Sequence, residues 1–286
     1  MTHIKIDYSI MITKLGFIFT NFNNTQFTEN AIKSISESDA KYAPVIIVDN
    51  ASKQEHVIKL RSIVDEYNNI QLICNVENIG YFKGLNVGIK LGKTQYSQVK
   101  YWIIGNNDLT FSKDILAQVL SNQSILNDYP VISPNIITID GIHQNPHVIS
   151  KISKFREVIY DLYHFNYYLA GFIKKLSKFT HRYTDRDDEA HHEEAMEIYQ
   201  GYGACYILTP TFFENFEELW SPTFLMYEEF FLSKQLEEKG YKIFYEPSIR
   251  IQHHWHATTA ELPKRLYWEF SRNAHKEYRK HTKIWK

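Results

Sequence analysis

Apolar and polar positions alternate in blocks along the first half of the chain. Gly16-Phe17-Ile18-Phe19-Thr20, Val45-Ile46-Ile47-Val48-Asp49 and Ile70 to Cys74 are short apolar runs bounded by polar residues. Runs of this length, rich in Ile, Val and Phe, predict buried strands. Polar loops between them lead into helical stretches. The first helix follows the loop Asn21-Phe22-Asn23-Asn24-Thr25 and extends through Ile35. Ser52 and Glu55 have the spacing of a capping box and predict a second helix to about Tyr67. Gly80 to Leu91 predicts a third helix and Lys100 to Gly105 a fourth strand. A helix through Leu120 and a strand from Val131 to Ile136 follow. Strand and helix alternate throughout, the pattern of right-handed βαβ units in a mostly parallel sheet.

The rhythm breaks at residue 151. Lys151 to Lys178 is apolar, aromatic and basic, and predicts a helical insertion. Thr184 to Glu197 sets seven acidic residues against Arg186 alone, too polar for a core and suited to a mobile loop or lid. A strand from Tyr199 to Leu208 and a short helix after Pro210 restore order. A helix from Met226 to Lys239, closed by Gly240, and strands Tyr241–Tyr245 and Ile249–His253 follow. The last segment, Glu261 to Lys286, predicts a basic helix with eight Lys or Arg against three Glu. The expected organisation is a single domain. Residues 1–140 form one half, 141–197 the insertion and acidic loop, 198–260 the second half, and 261–286 the terminal helix.

Composition narrows the class. The formal net charge of −1 gives no global pull toward nucleic acid. Cys74 and Cys205 each sit in an apolar run, predicting buried free thiols in a reducing compartment. Asp7 and Lys14 interrupt the early apolar runs, so no signal-peptide pattern forms. No run reaches the ~18 apolar residues of a spanning helix. A cytoplasmic protein is expected.

The candidate chemistry lies in Tyr101-Trp102-Ile103-Ile104-Gly105-Asn106-Asn107-Asp108. Asn106 and Asp108 are two apart, so in extended chain they point to one side. An amide oxygen and a carboxylate are hard ligands for Mg²⁺ or Mn²⁺, and such a metal bridges to substrate phosphates. A polar turn after a strand would use the same residue types.

A set of ordered motifs resembles one family. Val48-Asp49-Asn50-Ala51-Ser52, Asn75-Val76-Glu77-Asn78-Ile79-Gly80, Gly84-Leu85-Asn86-Val87-Gly88 and Asn106-Asn107-Asp108 are similar to the N-terminal half of a family 2 glycosyltransferase. Gly203-Ala204, Tyr227-Glu228-Glu229, Gly240-Tyr241, Pro247, His253 and Arg272-Asn273 then occur in that family's order. The resemblance covers residues 14–280 except 151–197 and is of the polysaccharide or rhamnosyltransferase-like type. It implies an α/β GT-A (Rossmann-like) fold, a mostly parallel sheet flanked by helices, with a helical insertion and a C-terminal helix.

The resemblance also implies roles. Thr20, Asn21, Asn23 and Asp49 would hold the base and ribose of a nucleotide sugar. Asn78, Gly80 and Gly84 would shape the loop beside base and diphosphate. Lys83 would meet a phosphate or simply face solvent. Asn106 stands where the family's acidic pair has its first carboxylate, so metal is expected to arrive with the donor. Asp108 and His253 would hold Mg²⁺ or Mn²⁺. Glu229 takes the place of the base that removes the acceptor's proton, with Glu228 beside it as the alternative. His253, His254 and His256 lack partners at zinc-finger spacing. Gly203, Ala204 and Trp220 would lie on the acceptor side, although Trp220 is equally suited to a core.

The implied reaction is inverting transfer from a UDP- or dTDP-sugar to a glycan or lipid-linked saccharide, in bacterial-type surface polysaccharide synthesis. Residues 151–182 and the basic last helix would then dock on anionic lipid at the inner membrane face, and packed helices with solvated basic faces are the plain alternative. Two other readings compete. A sugar-nucleotide pyrophosphorylase needs a glycine-rich basic loop after the first strand, and Thr20 to Thr25 has neither glycine nor Lys or Arg. A glycan-binding or scaffolding relative without catalysis is compatible with Asn106 and with Glu at 229.

Overall fold

The computed structural model describes residues 14–184, 188–254 and 263–284. Segment 1–13, Asp185, Arg186, Asp187, His256, Glu261 and Lys286, all part of the sequence expectations, lie outside the described residues.

The first half alternates as expected. Its elements are β1 (Leu15–Asn21), α1 (Thr25–Ser36), β2 (Val45–Asp49), α2 (Gln54–Val64), β3 (Ile70–Cys74), α3 (Tyr81–Gln95) and β4 (Tyr101–Asn106). Then come β5 (Leu109–Phe111), α4 (Ile115–Ser121), α5 (Gln123–Asp128) and β6 (Val131–Thr138). The insertion forms α6 (Lys154–Phe165) and α7 (Tyr167–Thr184). The remainder is β7 (Met196–Ile198), β8 (Cys205–Leu208), α8 (Pro210–Asn215), α9 (Glu228–Glu237), β9 (Ile243–His253) and α10 (Lys264–His281).

The nine strands among the described residues join one sheet in the order β3-β2-β1-β4-β8-β6-β9-β5, with β7 also pairing with β9. β1, β2, β3 and β4 pair in parallel, and β6 and β9 run the same way. β5, β7 and β8 run against them. Six of nine strands therefore share a direction, and the sheet is mostly parallel.

The period-2 alternation of each strand separates two cores. Phe17 and Phe19 of β1 face one layer with Ile47, Ile103, Ile32 and Leu60, whereas Ile18 faces the other with Ile46, Trp102, Leu85 and Ile89. Helix α3 lies close to the sheet because a Cβ at Gly88 would stand 2.4 Å from Ile18, and one at Gly84 2.9 Å from Thr20.

Several boundaries differ from the sequence expectation, each for a local reason. Ser52 does not cap α2, which starts at Gln54 after Lys53 without a side-chain cap. Its hydroxyl is used by Asp49 and by the Asn23 N–H instead. The helix expected directly after Asp108 is preceded by β5, which pairs with the end of β9. The insertion is broken at Asn166, whose side chain accepts from the N–H groups of Tyr168 and Leu169, and not at Gly171. Residues 199–204 turn before β8 begins. The two expected strands 241–245 and 249–253 are one strand, β9, whose register against β6 jumps from Glu246 to Arg250. Pro247 falls in that jump, where no ladder N–H is required. Cys205 is buried, but Cys74 is only half-buried, so the pairing of both thiols with the core fails at β3.

The described part of the acidic segment is tied to the body at three points. Asp188 accepts from Ile149 N–H, Tyr245 donates to the His192 carbonyl, and Glu197 pairs with Lys242. Among the described residues no helix is long and apolar enough to cross a membrane.

Candidate functional site

The C-terminal ends of β1, β4 and β9 open on one cleft of about 570 Å³. Ligands of open α/β sheets bind at such strand ends. Thr20, Asn21, Asn78, Gly80, Asn106, Asp108, Glu229 and His253, predicted from widely separated stretches, all line it. Asn23, Asp49 and Gly84 do not.

The exclusion of those three has a common cause. Asp49 is fully buried, and its oxygens accept from Asn21 Nδ2 at 2.6 Å, Ser52 N at 2.9 Å and Ser52 Oγ at 2.5 Å. A buried carboxylate is tolerable only when hydrogen-bonded in this way. It therefore fixes the loop after β1 from behind, where sequence placed it on the nucleotide. Asn23 is in left-handed backbone, φ 53°, with Oδ1 accepting from Lys53 N at 2.8 Å. Asn21 Oδ1 accepts from Thr28 and from Asn107, whose amide also reaches the Asn24 carbonyl. Asn107 is thus a brace between β4 and α1. Gly84 packs on Thr20 and Asn50, where a Cβ would stand 2.8 Å from the Asn50 side chain.

Gly80 has φ +93°, and a Cβ there would lie 2.2 Å from the Phe224 carbonyl oxygen. The close approach expected at this glycine is to the protein's own backbone: Tyr81 N donates to that carbonyl at 3.2 Å. Asn78 Oδ1 accepts from Gly80 N and holds the turn. Lys83 lines a different groove with Lys90, Lys93 and Trp220. Trp220 packs edge-on against Phe231 and His281, its core role.

Asp108 and His253 meet deep in the cleft. They are 6 % and 3 % exposed, and His253 Nε2 lies 3.2 Å from Asp108 Oδ1. The pairing of β5 with β9 places them there: Leu109 is opposite His253, and His254 N donates to the Asp108 carbonyl. His253 Nδ1 stands 2.7 Å from Gln144 Oε1, which holds the ring with Nε2 on the Asp108 side. Among the described residues Asp108 Oδ1 is buried without a hydrogen-bond donor. A carboxylate oxygen and an imidazole nitrogen 3.2 Å apart can share a divalent cation. The Gln144 contact is the outer-shell hydrogen bond typical of a metal-bound histidine. Among the described residues no group of three or more His, Cys, Asp or Glu converges. The protein thus offers Asp108 and His253 with the Asn106 amide nearby, a set that suits Mg²⁺ or Mn²⁺ sharing its shell with phosphate and water.

Across the cleft, Glu228 and Glu229 open α9. Met226 and Tyr227 just before them are both left-handed, φ 78° and 66°, which shortens the helix expected from Met226. Such strain persists only where the surroundings enforce it. Here Thr223 donates to the Met226 carbonyl, and the Tyr227 hydroxyl meets His275 Nδ1 at 2.9 Å. His275 Nε2 in turn stands 2.8 Å from Asp161 Oδ1.

The two glutamates differ in surroundings. Glu229 Oε1 accepts from Gly203 N at 3.2 Å, and a Cβ at Gly203 would stand 2.4 Å from that oxygen. Glu228 Oε1 is buried without a donor. Burial, and then the charge of Glu229, push the Glu228 carboxyl up to about 8 from its ordinary 4.5. Between those values the folded protein binds the proton that the unfolded chain has released. Stability therefore falls as pH rises from 4.5 to 8. Glu228→Gln is expected to remove this contribution. Denaturant titrations should show the variant gaining stability over wild type as pH rises from 5 to 8, with the gain levelling above it. An equal difference at both ends of that window would contradict the assignment.

A second cavity of about 690 Å³ adjoins the cleft, with Arg156, Tyr160, Gln200 and Ser271 in its wall. Met226, Glu229 and Tyr267 line both cavities, whereas Glu228 lines the cleft alone. Nothing in the sequence marks this second chamber or Tyr81, whose hydroxyl donates to the Gly203 carbonyl at 2.8 Å. A tyrosine beside Gly80 has no distinguishing pattern in one dimension.

Comparison with known proteins agrees with this geometry. A comparison with curated protein sequences finds no match. Among solved structures, a mannosyltransferase from Pyrobaculum calidifontis in complex with GDP-Man and Mn²⁺ superposes with a TM-score of 0.55 at 13% identity, over 93% of this chain and 64% of that one. GalNAc-T7 with UDP, GalNAc and Mn²⁺ gives 0.54 at 13% identity, over 84% of this chain and 43% of that one. S. aureus TarS residues 1–349 gives 0.50 at 12% identity, over 84% of this chain and 60% of that one. The chain thus spans about two thirds or less of the length of these structures. At such identities they speak for the fold, a GT-A glycosyltransferase fold. The profile of the family described as Glycosyl transferase family 2 matches residues 17–179, more than half of the sequence, and the chain belongs to that family.

Proposed function

We propose that the chain is an inverting transferase that moves a sugar from a nucleotide-diphosphate sugar to a saccharide hydroxyl, with a divalent metal. The observation that carries this reading is the position of Glu229 on the boundary between two cavities. The donor occupies the cleft, with its nucleotide against Thr20, Asn78, Gly80 and Asn106. Asn21 lines the same wall, and Asn23, Asp49 and Gly84 support it from behind. The acceptor occupies the second cavity. Glu229 takes the proton of the acceptor hydroxyl as its oxygen bonds to the sugar C1. The bond from C1 to the diphosphate oxygen breaks on the opposite face, and the electron pair leaves with the diphosphate. A Mg²⁺ or Mn²⁺ ion on Asp108 and His253 would neutralise the charge of that leaving group.

Two neighbours, solved with UDP or GDP-Man and Mn²⁺, support the donor class and the metal. The motif resemblance favours UDP or dTDP. It also favours a glycan or lipid-linked saccharide acceptor, surface polysaccharide synthesis and a peripheral place on the cytoplasmic membrane face. Calorimetric titration with UDP-, dTDP- and GDP-sugars, with and without Mn²⁺, tests the reading. One nucleotide class should bind, at least ~10-fold more tightly with Mn²⁺, since the cation bridges protein and phosphates. A folded sample that binds none of them would point to a relative without catalysis.

A further inference from the structure

The hairpin of α6 and α7 is built inside out. Helix α6 turns its ionic side chains inward. Glu157 and His164 are buried on the side that faces α10, where Arg279 pairs with Glu157 at 2.7 Å and with Asp161. The opposite face exposes Phe155, Val158, Leu162 and Phe165, spaced three, four and three apart and so aligned in one stripe. Helix α7 extends it with Tyr168 and Phe172, four apart. Phe155 is 72 %, Phe165 75 % and Tyr168 82 % exposed. Phe165 and Tyr168 flank the break at Asn166, so the two rows meet at the turn. Isolated exposed apolar residues are ordinary, but six on one hairpin mark an interaction surface.

Charge and position identify the partner. Residues 154–184 contain six Lys or Arg and two acids, Glu157 and Asp161, both engaged by Arg279. Lys174 and Lys175 are exposed on α7. Two copies meeting face to face would oppose like charges, which disfavours self-association through this face. The Lys174 ammonium lies 5.7 Å from the Tyr163 ring and 5.9 Å from the Tyr267 ring, and Tyr267 lines both cavities. The hairpin therefore stands at the mouth of the site, beside the exposed Leu266 and Phe224 of its rim.

We propose that this face docks on an anionic lipid bilayer, with the aromatic row in the headgroup–acyl boundary and the lysines on lipid phosphates. Docking there presents the acceptor cavity to the membrane surface. This deepens the function proposed above and rests on it only for the inference that the acceptor is lipid-linked. The basic last helix, expected from sequence to share the docking, spends Arg279 internally on α6.

Co-sedimentation with vesicles of phosphatidylglycerol and phosphatidylcholine, against pure phosphatidylcholine, tests the proposal. The protein sediments with the anionic vesicles and is released by salt. The triple variant Phe165→Ser, Tyr168→Ser, Phe172→Ser loses ~100-fold or more of that affinity, because apolar insertion anchors interfacial helices. Lys174→Ala with Lys175→Ala loses roughly 30-fold, from the usual contribution of two lysines near an anionic surface. Both variants keep the wild-type donor titration, which shows that they are folded. Wild type that stays in solution with anionic vesicles overturns the proposal, as does a triple variant that still sediments. A concentration-dependent dimer that the triple variant abolishes would assign the face to a second copy and also overturn it. Vesicle binding without any donor binding would remove the proposed function and leave the docking intact.

Discussion

Asp108→Ala is expected to reduce sugar transfer by ~10³-fold or more, with the fold retained. Charge stabilisation by a catalytic metal is worth several kcal/mol, and each 1.36 kcal/mol is about a factor of ten in rate. The fold should survive because this carboxylate contributes little to it. Among the described residues Asp108 Oδ1 is buried with no hydrogen-bond donor, and His253 Nε2 lies 3.2 Å from it. Removing a buried polar group that no donor satisfies relieves a desolvation penalty. The backbone bond from His254 N to the Asp108 carbonyl, which ties β5 to β9, does not involve the side chain. Initial rates at saturating donor and Mn²⁺, with a thermal melt in parallel, check both halves. Wild-type turnover would eliminate the metal role, and a collapsed melt would mean that the carboxylate is structural.

Glu229→Gln should lower turnover by ~10²–10⁴-fold, the range for a lost general base, with donor affinity unchanged. The amide is nearly isosteric, and its carbonyl can still accept from Gly203 N, so geometry is conserved while basicity is lost. Glu228→Gln is the matched control. Glu228 lines only the donor cleft, and its raised pKa keeps it protonated through neutral pH. A neutral amide therefore replaces an already neutral carboxyl, and turnover near pH 7 should fall less than ~10-fold, below the usual loss of a catalytic base. If Glu228→Gln proves the crippled variant and Glu229→Gln the active one, the base is Glu228 and the acceptor approaches within the cleft.

The strained entry to α9 explains how two adjacent glutamates acquire different roles. Left-handed backbone at Met226 and Tyr227 costs of order 1–3 kcal/mol at each residue. The Tyr227–His275–Asp161 chain of contacts offsets it from α10 and α6. Burial lowers the His164 imidazole, stacked 4.1 Å from His275, to about 4. His164 therefore stays neutral through the physiological range, consistent with a packing role beside that chain.

The sequence by itself determined the βαβ order of the first half and proposed the end of β4 as the site. These rest on local patterns: apolar runs read as strands, and a strand end followed by Asn and Asp supplies hard ligands wherever the chain goes next. Through the resemblance alone it also pointed to His253 and to the glutamate pair. Only the tertiary structure decided what each side chain does there. The resemblance put Asp49 on the nucleotide, but the register of β2 beside β1 buries it on Asn21 and Ser52. Ser52 looked like a cap and became a brace. Glu157 and His164 lie on one face of α6. They point inward only because α10, more than 100 residues later, supplies Arg279 to neutralise Glu157 and Ser271 to meet the His164 ring. Helical spacing separates two faces but does not say which one is covered. That choice depends on partners distant in sequence, and it leaves the aromatic face of the hairpin outside.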